Sequence, residues 1–298
     1  MNELEKLSKE DKKNYLRYLQ RMTESMNFST KGLIPIMCQD KKNILDVGCG
    51  SGVLLNAIEK NNPKATITGI DLNNNSIEKL KMLGKNWQLY HQDLMEISNI
   101  NPKYDAIIFS SVLHEVSSYY PDIKKRFTST PIVEYFNKAN DLLCTSGSII
   151  LRDGLLIDEN IRNQKALISF KNINDSYWLY RFQKDFRGFD KLQDVDCSIK
   201  KINNNVFEVG LTFLKEFLYT FTWGKESYHR EIKERFGILD KKAWLKLLEK
   251  SGFDIDTVVE SKEQYEEYLA PKVNITDANG NKFTYPMMTI LIKAKKIK

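Results

Sequence analysis

A nonapeptide with three alternating glycines carries the strongest chemical signal in the sequence: Ile44-Leu-Asp-Val-Gly-Cys-Gly-Ser-Gly52, where a β-rich run gives way to a helical one. Glycines at 48, 50 and 52 let the chain turn tightly and let a ligand approach main-chain N–H groups with no Cβ in the way. A dinucleotide loop wants its last glycine at the sixth position, and Val53 stands there. Asp46 lies just before the loop, where it would repel a pyrophosphate and suit a ligand carrying an ammonium group. Asp71, 19 residues past Gly52 at the end of a second β-rich run, is placed to accept from two ribose hydroxyls. A nucleoside with a cationic part is the ligand these residues describe.

A second set could move protons. His114, followed by Glu115, comes a few residues after the run Tyr104–Phe109, and an imidazole with an ordinary pKa near ~6.5 suits proton uptake from an acceptor oxygen or nitrogen. As a structural residue it would only hydrogen-bond Glu115 or a carbonyl. Arg152 and Asp153 end a fifth β-rich run, at the edge where open α/β sheets place ligands, and are read as substrate residues. Trp223, Tyr228 and His229 couple aromatic rings to a titratable group, as a lid over a polar substrate would; a helix start explains the same residues.

The elements that must position these groups follow from the periodicity. β-Rich runs at Asn43–Val47, Ala65–Ile70, Trp87–His91, Tyr104–Phe109 and Ser148–Arg152 alternate with helical patterns at Val53–Lys60, Ser76–Leu83 and Ile132–Leu143, which predicts right-handed βαβ winding. Tyr15, Leu19, Met22 and Met26 predict an amphipathic helix ahead of the sheet. The rhythm breaks over 155–239, an insertion: residues 170–236 hold 15 of the 33 aromatics, enough for a small second core or for the wall of a substrate pocket. Asp240 then caps a helix running to Ser251, with Gly252 as its stop, and Phe253–Val259 and Met287–Ala294 read as two last strands. Four regions result: a helical segment 1–42, a ligand-binding core 43–154, the aromatic-rich insertion 155–239, and a C-terminal part 240–298 that completes the sheet.

The acid and three glycines resemble the first motif of the class I S-adenosylmethionine-dependent methyltransferases, over residues 43–153 and, less specifically, 240–296. The resemblance implies a Rossmann-like α/β fold: a doubly wound, mostly parallel seven-stranded sheet with an N-terminal helix and a large insertion after the fifth strand. It implies that Asp46, Gly48, Cys49, Gly50 and Gly52 hold the methionine portion of S-adenosylmethionine, and Asp71 the ribose. Asp93 would accept from the adenine amine, Leu94 would donate from its backbone, and Leu72 would cover the adenine face. Ser110 falls where cofactor and acceptor meet. No Asp/Asn-Pro-Pro-Tyr tetrad occurs in the chain, so methylation of a base amine is disfavoured.

Composition narrows the rest. With 298 residues, 42% hydrophobic and 28% charged, the chain can bury a sizeable core, which excludes disordered and fibrous classes. The charged start Met1–Lys13 and the lack of any run of ~18 apolar residues lead to the expectation of a cytoplasmic protein with no secretory signal and no membrane partner. Cysteines 38, 49, 144 and 197 have neither disulfide density nor zinc spacing, so free thiols and no metal are expected. The net charge of +6 comes from 36 lysines and only 9 arginines, a ratio that makes a nucleic-acid partner possible but not favoured. The expected activity is methyl transfer to an oxygen or nitrogen of a small or medium-sized acceptor. An RNA methyltransferase, an NAD-linked oxidoreductase and a catalytically silent cofactor-binding module are the alternatives.

Overall fold

The computed structural model describes residues 30–98, 103–189, 195–224, 227–262, 268–281 and 285–297; the helix expected around Tyr15 to Met26 lies outside them. A run that is apolar toward both faces forms a strand sandwiched between two helical layers, and β1 (Asn43–Val47) and β4 (Tyr104–Ser110) are such runs. They pair in parallel at the centre of a sheet completed by β2 (Thr66–Asp71), β3 (Gln88–His91), β5 (Leu143–Gly154), β9 (Phe253–Ser261) and β11 (Thr289–Lys296). The order is β3-β2-β1-β4-β5-β11-β9, with β11 antiparallel to both its neighbours.

Helices cover both faces. On one, α1 (Ile34–Met37), α2 (Val53–Asn61) and α3 (Asn74–Lys81) bury Ile34, Leu55, Ile58 and Ile77 against Ile44, Ile108 and Ile150. On the other, α4 (Leu113–Ser118), α5 (Thr130–Leu142) and α9 (Lys241–Lys250) bury Leu113, Phe136 and Trp244 against Phe109, Leu151 and Ile292. Asp240 caps α9 as expected, its carboxylate accepting from the Ala243 N–H at 2.8 Å, and Gly252 takes the left-handed φ of +84° that ends the helix. The chain leaves β1 toward β2 on one side and β4 lies on the other, so the carboxyl ends of β1 and β4 flank the crevice where such sheets bind ligands.

The insertion builds its own antiparallel sheet from β6 (Lys165–Phe170), β7 (Ile199–Lys201), β8 (Val206–Gly210) and β10 (Val273–Asp277), in the order β10-β6-β8-β7. Packed with it are α6 (Ser176–Asp185), α7 (Leu211–Thr222) and the short α8 (Tyr228–Glu231). Two expectations need correction. The segment after 240 does not all serve the large sheet, because β10 alternates Val273 and Ile275 into the aromatic cluster of the insertion. The aromatic concentration is chiefly that cluster, in which Phe170, Phe182, Phe207 and Phe217 are fully buried, and only its edge reaches a cavity. Among the described residues no helix is long and apolar enough to cross a membrane.

Candidate active site

A cavity of about 670 Å³ opens at the carboxyl ends of β1, β2, β4 and β5 and collects most of the residues singled out from the sequence. At one end the glycine loop turns back on β2. The N–H groups of Gly48 and Cys49 donate to the Ile70 carbonyl at 2.9 and 3.0 Å, and the Gly50 N–H donates to the Asp71 carboxylate at 2.8 Å. The second Asp71 oxygen accepts from the Asn73 N–H at 2.7 Å, while Asn73, not Asp71, caps α3. Gly48, at φ +74°, could carry no side chain without striking Val112 at 2.7 Å. Gly50 is also left-handed at φ +51°, yet the space a Cβ would take is open, with nothing nearer than 3.9 Å.

Asp46 lies 2% exposed beneath this loop. Burial pushes its carboxyl up to about 7, with the Asp71 charge adding to the shift and the ammonium of Lys31 opposing it. Lys31, in a short helical turn over Thr30–Leu33, is itself pushed down to about 8 by burial and by Arg152. Arg152 donates from Nε to the Thr30 hydroxyl at 2.9 Å and from Nη1 to the Ser111 hydroxyl at 3.0 Å, tying that turn to the end of β4. The hydroxyls of Ser110 and Thr289 line the same cavity and are buried with no hydrogen-bond partner among the described residues.

At the other end His114 stands 4% exposed. Its Nδ1 lies 2.6 Å from one Asp153 oxygen, and its backbone N–H donates to the other at 3.1 Å. The ring stacks on Phe236 at 4.5 Å, so a hydrogen bond on one edge and a ring on one face fix its orientation, with Nε2 3.8 Å from a Glu234 oxygen. Burial disfavours the charged ring, but the Asp153 charge and hydrogen bond outweigh it, and with Glu234 and Glu115 nearby they hold its pKa well above the ordinary value. Glu115 is pushed up to about 8, by burial first and then by Glu234. Glu231 is pushed up to about 7 by the same causes. Glu234 accepts from the Tyr119 hydroxyl at 2.9 Å.

Asp46, Gly48, Cys49, Gly50, Asp71, Leu72, Asp93, Leu94, Ser110, His114, Glu115, Arg152, Asp153 and Trp223 thus share one cavity. Four readings change in detail: Gly52 does not line the cavity but precedes α2, the side a Cβ would take lying against Leu80 and Trp87. Asp93 reaches the cavity with its carboxylate already engaged: it accepts from the Tyr135 hydroxyl at 2.6 Å and caps a short turn through the Met95 N–H at 2.8 Å. Arg152 braces the cofactor side, and Asp153 serves His114. Tyr228 and His229 do not line the cavity, because α8 turns Tyr228 onto Trp178 at 4.9 Å and leaves His229 exposed. Among the lining residues that sequence reasoning missed are Lys31, Tyr135, Glu231, Glu234 and Phe236, none of which sits in a motif.

Residues 45–145 match a family model described as a methyltransferase domain. The match covers about a third of the chain and takes in the glycine loop and the strands β2 to β4. Among curated proteins, the malonyl-[acyl-carrier protein] O-methyltransferase of Priestia megaterium is 37% identical over 86 residues, 28% of this chain and 31% of that protein. The ribosomal RNA small subunit methyltransferase C of Haemophilus influenzae is 33% identical over 93 residues, 30% of this chain and 28% of that protein. The chain spans about a third of the length of these relatives. A crystal structure of an S-adenosylmethionine-dependent methyltransferase from Clostridium acetobutylicum shares the fold over 95% of this chain and 99% of that one, with a TM-score of 0.51 and 14% identity.

Proposed function

We propose that the protein transfers a methyl group from S-adenosylmethionine to an oxygen or nitrogen of a small or medium-sized acceptor. The observation that carries this reading is the junction of two sets in one cavity: the glycine loop with Asp71 at one end and the His114–Asp153 pair at the other. The residues fit the cofactor. Open space beside Gly50 admits a ligand against the loop, and the unpartnered Ser110 hydroxyl lacks only a polar atom to bond. In this reading Asp46 and the loop residues Gly48, Cys49 and Gly50 hold the methionine end, Asp71 takes the ribose hydroxyls, and Asp93, Leu94 and Leu72 surround the adenine.

The bound cofactor supplies a methyl already activated by its positive sulfur, so the chain contributes positioning and proton handling. Asp153 on Nδ1 directs Nε2 of His114 at the acceptor, and the deprotonated ring takes the acceptor's proton; Glu115 is the second acceptor of protons within reach. Because its neighbours raise the His114 pKa, the basic form grows in at higher pH than that of an ordinary imidazole. Four unpaired cysteines accord with a reducing, cytoplasmic setting. An RNA acceptor is the weaker reading, since arginine, which reads phosphates and bases with a bidentate fork, is outnumbered 36 to 9 by lysine.

Calorimetry with S-adenosylhomocysteine and with NAD tests the cofactor: binding of the first alone is expected, and binding of NAD alone would return the chain to the oxidoreductases. Labelled methyl transfer into fractionated extract tests the reaction, and labelling of no fraction despite tight cofactor binding would leave a silent module.

A further inference from the structure

The acceptor end of the cavity holds more acid than cation. Glu115, Glu231, Glu234 and Asp153 gather there around two cationic side chains, His114 and Arg230. The hydrogen bonds do not use up these groups. Arg230 donates to Oε1 of Glu231, whose side chain is only 3% exposed. The Glu115 carboxyl accepts no hydrogen bond among the described residues. Nε2 of His114 lies 3.8 Å from Glu234, an ion-pair distance beyond hydrogen-bond reach. These groups line one space.

The rest of that space is aromatic. Tyr119, Tyr219, Trp223 and Phe236 line it beside the carboxyls. Acid and ring faces together recognise an organic cation, because the rings attract positive charge while the carboxylates accept its N–H groups.

We propose that the acceptor is a cationic amine, whose ammonium group is received between Glu115, Glu231 and Glu234 against the aromatic wall. This rests on the methyl-transfer reading above. Burial and mutual repulsion push Glu115 up to about 8 and Glu231 up to about 7, a cost of ionising them side by side that a bound cation relieves. A nitrogen of His114 and oxygens of Glu115 and Glu234 lie within 4.8 Å of one another, near enough to share a divalent metal ion. The rings would have no part in holding such a small hydrated ion, and for that reason the amine is preferred. For transfer, the ammonium first gives a proton to this carboxyl–imidazole cluster. The nitrogen lone pair then forms the N–CH₃ bond as the C–S bond breaks and its electron pair stays on sulfur, which becomes a neutral thioether.

The test uses the full chain saturated with S-adenosylhomocysteine and three probes of one shape and different charge: phenethylamine, phenethyl alcohol and hydrocinnamate. Calorimetry should rank the amine first by about tenfold or more, the scale of a charge-assisted hydrogen bond. Glu115→Gln and Glu231→Gln, made separately, should each erase most of that preference while the affinity for S-adenosylhomocysteine stays within about twofold. Equal binding of the three probes, or preference for the carboxylate, overturns the proposal on wild-type protein alone, whether or not a variant folds. Magnesium, manganese or zinc binding that Glu115→Gln abolishes, with no amine preference, would assign the cluster to a metal instead. Failure of S-adenosylhomocysteine to bind would remove the methyl-transfer reading itself and this one with it; binding without amine preference removes only this one.

Discussion

The two ends of the cavity are made of different materials. At the glycine-loop end the working groups are main-chain N–H donors and a carboxylate within a few residues of strand ends, and one hydrogen bond from Gly50 to Asp71 joins them. At the His114 end the working groups are side chains drawn from β5, α4 and the stretch 231–236, and their charges set one another's protonation. The first end is a shape that backbone geometry enforces, tolerant of what surrounds it. The second is an electrostatic balance in which each residue's state depends on three or four others. A methyl donor is a fixed ligand and suits the first; an acceptor that differs among related enzymes suits the second.

If shape governs the loop end, Gly50→Val should have the largest effect of all. A β-branched residue at φ +51° is strained, and its side chain fills the open space. Calorimetric loss of S-adenosylhomocysteine binding by more than ~100-fold is expected, with the circular dichroism of a folded protein; binding within a few-fold of wild type would place the ligand elsewhere.

Charge balance at the other end is broken by His114→Ala, expected to lower the single-turnover rate by ~10²–10⁴ with cofactor affinity nearly unchanged. Its finer form is the pH profile. A base with a raised pKa puts the rising limb of the rate at higher pH than an ordinary imidazole would, and Asp153→Asn, by removing the carboxylate that raises it, should move that limb toward lower pH while lowering the plateau. A limb that stays in place would detach His114 from the proton transfer.

Asp71→Ala comes next, at about 1.5–3 kcal/mol of cofactor affinity for lost charge-assisted hydrogen bonds. Since the same carboxylate holds the Gly50 N–H, the melting temperature should fall too, and a variant that loses affinity with no change in melting would show the loop to be rigid without it. The smallest change is expected from Tyr135→Phe, which removes the hydroxyl bonded to Asp93 at a cost of about 1 kcal/mol in stability. If Asp93 belongs to the ligand, freeing it should leave cofactor affinity equal or better; a loss beyond about tenfold would make Tyr135 part of the adenine site.

How far the sequence could be read follows the same division. The loop, Asp71 and the Asp240 cap were legible because each is a local pattern in which residue type and spacing fix the backbone. Asp153 and His114 each stood out in the sequence, but their pairing did not, since they lie 39 residues apart and only the β4–β5 pairing brings them together. Glu231 and Glu234 look like any charged stretch, and their distance of more than 110 residues from Glu115 leaves no periodic trace. Tyr228 and His229 drew notice instead, being rarer residue types, although α8 turns both away. β10 went unread as a strand, because nothing in its five residues says which sheet it will join.

Arg152 and Asp153 are neighbours on β5, and the pleat sends one to each side: Arg152 to Thr30 and Ser111, Asp153 to His114. The division of labour in the cavity is therefore a matter of parity along one strand. A single residue inserted into β5 ahead of Arg152 and accommodated by a one-step slip against β4 would turn the guanidinium toward the imidazole and the carboxylate toward Lys31, inverting the sign of charge at both ends at once. Two inserted residues would restore both faces, so among lengthened versions of this strand only the even ones can keep an acid behind the histidine.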